Sequence, residues 1–210
     1  MQIAVLTFDG FNELDSFIAY GILNRMKPKG WKAFITSPTS RVVSMNGAAV
    51  DAQKDLEFAH TADAVIFGSG IKTRDIAQDS ALLNRLKLDP RRQLIAAQCS
   101  GTLLLAKLGL LDGRPACTDL RTKPWVIEAG VRVLNQPFFA DGNVATAGGC
   151  LASHYLATWI LLRGASRPEA EDILHYVVPV GEKEEYVARA FKAVEPYVTA
   201  QPVHNLVRQS

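Results

Sequence analysis

The sequence is poor in the features that charge-driven, cross-linked or membrane-inserted proteins depend on. Its 210 residues carry 23 basic and 21 acidic side chains, a net charge of +2, with no long run of like charge. Such a balanced chain lacks the electrostatic footprint of a nucleic-acid binder, so no nucleic-acid partner is expected. Only three cysteines occur, Cys99, Cys117 and Cys150, an odd and widely separated set with no C-x-x-C pair. This argues against a disulfide framework and a structural zinc site; reduced thiols and no metal are expected. No apolar span is long enough to cross a bilayer, and Met1-Gln2-Ile3-Ala4-Val5-Leu6 has neither a basic leader nor a cleavage motif. The expectation is a cytoplasmic protein with no membrane partner. Gly68-Ser69-Gly70 lacks the third glycine of a dinucleotide fingerprint and no G-x-x-x-x-G-K-[ST] occurs, so no cofactor is expected. His60, His154, His175 and His204 are scattered, without triad or metal spacing; His154, on an apolar helix, reads as a core or interface residue.

What is present is ordinary globular material: 48% hydrophobic and 21% charged residues. A chain of this length buries roughly 70% of its unfolded surface, so its core needs no staple. Short apolar runs at Ile3–Phe8, Ala33–Thr36, Asp63–Phe67 and Leu94–Gln98 read as buried strands. Leu14, Phe17, Ile18, Ile22 and Leu23 recur at helical spacing until Pro28 and Gly30. Arg41–Val50 reads as a hairpin turning at Asn46-Gly47. The periodicity predicts helices over Ile76–Leu88 and Gly101–Leu108, then short strands at Ala116–Thr118, Val131–Leu134 and Val144–Thr146. Helices follow over Leu151–Leu162, Pro168–Tyr176 and Glu182–Tyr197. Strand and helix alternation implies an α/β fold whose parallel sheet is covered on both faces. With no repeat or linker, residues 1–210 read as one domain with a helical C-terminal segment from about residue 182, whose last dozen residues fray.

Reactive groups in such a sheet collect beyond the carboxyl ends of its strands. Ala97-Gln98-Cys99-Ser100-Gly101 puts a cysteine where an apolar strand meets a helix, with a small residue two positions away on each side. This is the pattern of a nucleophile elbow, in which a tight turn lifts the side chain out of the sheet. A helix N-terminus favours thiolate, so Cys99 is expected to be more acidic than a free cysteine. The competing reading is a small buried hydrophobe, and Cys117 and Cys150, without that context, are read as core thiols.

Together these stretches resemble the DJ-1/PfpI (ThiJ/PfpI, class I glutamine amidotransferase-like) superfamily. Asp9-Gly10-Phe11 with Glu13-Leu14-Asp15 is similar to its first turn and acid-bearing helix entry, and Gly68-Ser69-Gly70 to its glycine-rich loop. Cys99-Ser100-Gly101-Thr102 with Leu108–Arg114 resembles its elbow and the segment after it, and Asp141-Gly142-Asn143 to Gly149 its late hairpin. The resemblance covers roughly residues 1 to 180 and implies a flavodoxin-like three-layer sandwich with a mostly parallel central sheet, and a homodimer. Aspartate rather than glutamate at position 15 is most similar to the isocyanide hydratase-like branch. That implies Cys99 as nucleophile, a protonated Asp15 as its acid partner with raised pKa, and backbone amides near Gly70 and Ser100 receiving developing charge. A small-molecule substrate is implied, with isonitrile hydration to an N-substituted formamide as the reaction. Many members carry a histidine about twenty residues after the cysteine, where this chain has Asp119; an aspartate cannot act as a neutral imidazole, and helix capping comes before substrate orientation as its role. Two other readings stay open: a non-catalytic thiol sensor in which Cys99 becomes a sulfinate stabilised by Asp15, and a ligand-sensing module. Trp125, Phe138 and Phe139 are candidate pocket residues.

Overall fold

Strands form in this chain where apolar residues can be covered on both faces. In the computed structural model, which describes residues 1–198, the strands β1 (Gln2–Leu6), β2 (Lys32–Ser37), β3 (Arg41–Val43), β4 (Ala49–Asp51), β5 (Lys54–Asp55), β6 (Ala64–Phe67), β7 (Leu94–Gln98), β8 (Phe138–Asp141) and β9 (Val144–Ala147) follow in chain order. Seven build the central sheet in the order β5-β2-β1-β6-β7-β9-β8, with only β8 antiparallel to its neighbour. The fold is thus the expected flavodoxin-like α/β arrangement. β3 and β4 form the hairpin read at Asn46-Gly47.

One side of the sheet is covered by α1 (Glu13–Leu23), α6 (Ser153–Gly164), α7 (Arg167–Val177) and α8 (Lys183–Val194), which share a core with Ile3, Val5, Ile66 and Ala96. The other is covered by the single turns α2 (Thr73–Ile76) and α3 (Ser80–Leu83) with α4 (Gly101–Lys107) and α5 (Lys123–Glu128), around Leu6, Val65, Phe67 and Ile95. The predicted helix over Ile76–Leu88 is instead those two turns. Asp79 accepts the Leu82 N–H at 2.9 Å and so starts a new turn inside the apolar periodicity. The strands expected at Ala116–Thr118 and Val131–Leu134 reduce to one bridge between Ala116 and Val133. Periodicity does not predict β8 or α5. The last dozen residues, expected to fray, lie outside the described residues. Among those residues no helix is long and apolar enough to cross a membrane.

One departure matters for the site. Helical spacing has α1 burying Leu14 and Phe17, but these are 50% and 38% exposed, and its buried face is Asp15, Ser16, Ala19, Ile22 and Leu23. Asn12 fixes the start of this helix by accepting the Leu14 N–H at 3.1 Å. The resulting rotation sends the Asp15 carboxylate under the helix rather than to solvent.

Candidate active site

The carboxyl ends of β1, β6, β7 and β9 lie side by side in the sheet, and the chain leaving them supplies Asp15, Ser69, Cys99 and Cys150. The reversal of strand order falls between β1 and β6, where open α/β sheets place their ligands.

Cys99 follows β7 directly and has φ +45°, the one non-glycine residue with positive φ among those described. An L-residue in this region carries strain of about 1–2 kcal/mol, so the surroundings must hold it. They do so through both backbone groups: the Cys99 N–H donates to Ala147 O at 2.8 Å, and Thr118 Oγ1 donates to the Cys99 carbonyl at 2.8 Å. The helix after the bend packs so closely on β6 that a Cβ at Gly101 would stand 2.7 Å from the Phe67 carbonyl oxygen. A nucleophile-elbow turn is therefore present, and glycine at 101 is a steric requirement.

Cys99 itself is only 4% exposed, and Asp15 is fully buried. The Cys99 sulfur nevertheless lies in a polar bed. The Asp15 carboxylate is beside it: one carboxylate oxygen of Asp15, Cys99 Sγ and Cys150 Sγ lie within 4.8 Å of one another, and Gly149 is a further neighbour of the sulfur. Ser69 Oγ donates to one carboxylate oxygen, and Ser16 Oγ donates to the other at 3.4 Å. Ser153 Oγ donates to the Asp15 carbonyl at 2.6 Å, tying α6 to α1 at this point.

Burial raises the Asp15 carboxyl to about 6, against the lowering effect of Ser69, Cys99 and Ser16. The direction matches the sequence expectation. For Cys99 the expectation has the wrong sign. Burial pushes the thiol well above its ordinary range, and the neighbouring Asp15, Cys150 and Asp119 charges push it further. The amino-terminal dipole of a seven-residue helix does not outweigh desolvation of the anion. Burial therefore opposes ionisation of both groups, and each disfavours the charge of the other.

The other expected residues are placed as follows. The Gly70 N–H donates to Ser100 Oγ at 3.1 Å, and Thr73 Oγ1 lies 2.8 Å from the same hydroxyl. Gly70 and the Ser100 side chain therefore brace the β6 loop against the elbow, and the Gly70 amide is engaged rather than offered to a substrate. The Ser100 N–H, at the N-cap of α4, has no acceptor within its own helix. Asp119 Oδ1 accepts the N–H groups of Arg121 and Thr122 at 2.9 and 3.0 Å, a capping geometry ahead of α5. It also lines a cleft of about 470 Å³ together with Thr118, Lys123, Gln136 and Gly149. That cleft shares Thr118 and Gly149 with the bed of Cys99. Trp125, Phe138 and Phe139 do not line it; Phe138 is in the core and Phe139 packs on Tyr197.

Cys117 is a core thiol as expected, pushed up to about 12 by burial. Cys150 is not: it is half-buried, its sulfur accepts Asn12 Nδ2 at 3.2 Å, and it stands beside Cys99. Sequence reasoning misses it together with Ser69, Ser16 and Gly149. Gly148-Gly149-Cys150 does follow a strand as Cys99 does, a signal that becomes useful only once β9 is known to flank β7. His154 is buried against Tyr155 and Tyr186, with its pKa lowered by burial, and is remote in role from Cys99. Asp15, Cys99 and Cys150 are also the set of side chains that would converge on a cation. The Asp15 oxygens are already taken by serines, however, and two thiols, one of them buried, would have to lose protons.

The sequence pattern of the DJ-1/PfpI family matches residues 1–162. This chain belongs to the DJ-1/PfpI family. The fold is similar to that of DJ-1 from Schizosaccharomyces pombe (16% identity, 85% of this chain and 100% of that one, TM-score 0.72). It is also similar to a ThiJ/PfpI family protein from Pseudomonas syringae (18% identity, 94% and 88%, TM-score 0.74). A DJ-1 superfamily protein from Salmonella typhimurium, solved as a cysteine-to-alanine mutant, is 23% identical over 85% of this chain and 98% of that one, with a TM-score of 0.69. At these identities the structural likeness speaks for the fold alone. No curated protein sequence matches this chain. As a DJ-1/PfpI member with an elbow cysteine beside a buried acid, it carries the parts of a cysteine-dependent enzyme.

Proposed function

We propose that this DJ-1/PfpI protein is a cysteine-dependent hydratase for a small uncharged electrophile, with isonitrile hydration to an N-substituted formamide as its reaction. The observation that carries this reading is the buried Asp15 carboxylate within 4.8 Å of the Cys99 sulfur at the elbow. An uncharged substrate suits a closed site that already holds one negative charge, since a second buried charge would be strongly penalised.

In this reading the pair starts as Cys99 thiol and Asp15 carboxylate, which sets the proton path. Cys99 sulfur bonds to the terminal carbon of R–N≡C as its proton passes to Asp15, and Asp15 returns that proton to the same carbon, giving Cys99–S–CH=N–R. Water then adds to this carbon, the C–S bond breaks, the nitrogen is protonated, and R–NH–CHO leaves with the thiol restored. Asp15 acts first as base and then as acid, and in this cycle the protonated Asp15 of the sequence expectation is the form that follows attack. The Ser100 N–H at the start of α4 and the Gly149 N–H beside Cys99 are the amides assigned to receive developing charge; Gly70 serves as a brace. Asp119 borders the adjoining cleft and serves α5 as a cap.

Incubation with a simple alkyl isonitrile, followed by NMR of the formamide, tests the reading. Cys99→Ala should release none, and an intact wild type that gives no formamide while reacting with other electrophiles would refute the isonitrile assignment. A homodimer belongs to the same proposal, supported by the exposed apolar Leu14, Phe17 and Leu151 beside Asp15 and Cys150 in the chain. Sedimentation equilibrium measures it directly.

A further inference from the structure

We propose that Cys150 is a resolving thiol for Cys99, so that mild peroxide closes a Cys99–Cys150 disulfide instead of carrying Cys99 to the sulfinate. Three observations support it. The two sulfurs and an Asp15 carboxylate oxygen lie within 4.8 Å of one another, and Cys117 is not part of this group. Cys150 is half-buried while Cys99 is only 4% exposed, so the second thiol is the more accessible of the two. Asn12 Nδ2 donates to Cys150 Sγ at 3.2 Å, which holds that sulfur toward the cluster. A disulfide requires the sulfurs to close to about 2.05 Å, and one χ1 step moves a cysteine sulfur by roughly 3 Å, enough to span the gap from a separation within 4.8 Å.

The chemistry balances with a hydroperoxide as oxidant. Cys99–SH and R–OOH give Cys99–SOH and ROH: an S–O bond forms, the O–O bond breaks, sulfur loses two electrons, and the thiol proton leaves with the alkoxide by way of Asp15. Cys150 sulfur then attacks Cys99 sulfur; the S–S bond forms, the S–O bond breaks, and hydroxide leaves with the Cys150 proton as water. The hydroperoxide is reduced by the two electrons that the thiol pair loses, and a dithiol reductant restores both thiols. While the bridge stands, Cys99 has no nucleophile to offer, and it is kept from the sulfinic acid, which is not readily reversed.

The test does not depend on isonitrile turnover, because it reads sulfur and not formamide. The full chain is treated with a small excess of hydrogen peroxide, free thiols are alkylated, and tryptic peptides are mapped without reduction. The expected result is the Cys99 peptide joined to the Cys150 peptide within one chain, two hydrogens lighter than their sum and released by dithiothreitol. In Cys150→Ser, and in Cys150→Ala as a packing control, that species should vanish and Cys99 sulfinate should rise several-fold over wild type. Equal sulfinate in wild type and both variants, a bridge that runs only between chains or to Cys117, or unreacted Cys99 would each overturn the proposal.

Discussion

Replacing Asp15 by asparagine should stabilise the protein at neutral pH while removing its turnover. The carboxyl is fully buried and raised from 3.8 to about 6, chiefly because burial penalises the anion. That rise corresponds to about 3 kcal/mol against the ionised carboxylate in the folded state. Because the folded value lies above the unfolded one, the native state keeps a proton that the unfolded chain has released between about pH 4 and pH 6. Native stability therefore falls as pH rises through that window, and above it the full penalty applies. Asparagine has the same shape and never ionises; its amide oxygen can still accept from Ser69, and its NH2 can face the Cys99 sulfur. Asp15→Asn should then be more stable than wild type by up to about 3 kcal/mol at pH 8 and by little or nothing at pH 4, where both side chains are neutral. Urea denaturation of both proteins at the two pH values measures this, with formamide release assayed alongside. The reasoning fails if the stability difference between the two proteins is the same at pH 4 and pH 8, or if the variant keeps wild-type turnover.

Other outcomes follow from the same geometry. If Asp15 takes the Cys99 proton, turnover should rise with pH through about 6 as the carboxylate forms; a rate that falls across this range would reverse the assigned roles. Ser69→Ala removes the hydroxyl that stabilises the Asp15 anion, so the same limb should move to higher pH, which rate profiles of the two proteins compare directly. Gly101→Ala puts a methyl group 2.7 Å from a backbone oxygen that cannot move aside. Its thermal midpoint should drop by many degrees if it folds at all, whereas a near wild-type midpoint would show that α4 can shift away from β6.

How much of this is legible without the structure depends on whether a feature is local. Leu94–Gln98 reads as a buried strand and is one to the residue, because every side chain in it is covered and no polar partner interrupts it. The elbow is local too: a cysteine between a strand and a glycine that opens a helix. Ile76–Leu88 misleads because the apolar spacing survives a break imposed by one capping contact, the Asp79 carboxylate on the Leu82 N–H. β8 is a short strand after Pro137 at the sheet edge, held by its pairing with β9 rather than by its own pattern. Cys150 and Ser69 cannot be assigned from spacing, since their roles exist only because β9, β7 and β6 are neighbours in a sheet whose order differs from the chain's. The acidity of Cys99 is misjudged for a related reason: a helix terminus is visible in sequence, while the desolvation that opposes it is a property of the packed site.

The rotation of α1 joins these points. Read for burial alone, the helix would turn Leu14 and Phe17 inward, and a fully buried aspartate would be the residue to avoid. The observed helix does the reverse, exposing half of Leu14 and a good part of Phe17 while sinking Asp15 beneath it. One local contact and two distant ones hold that rotation. Asn12 accepts the Leu14 N–H and so sets where the helix begins, and Ser153 takes the Asp15 carbonyl while Ser69 takes its carboxylate. Each hydrogen bond to the anion offsets only part of the cost of burying it, which is why the carboxyl still stands near 6. A stability-driven sequence would not hold a carboxylate in that state, nor keep a cysteine at positive φ next to it. The two strained residues are each other's neighbours, and the proton they share is the one group in this core that gains something from being poorly accommodated.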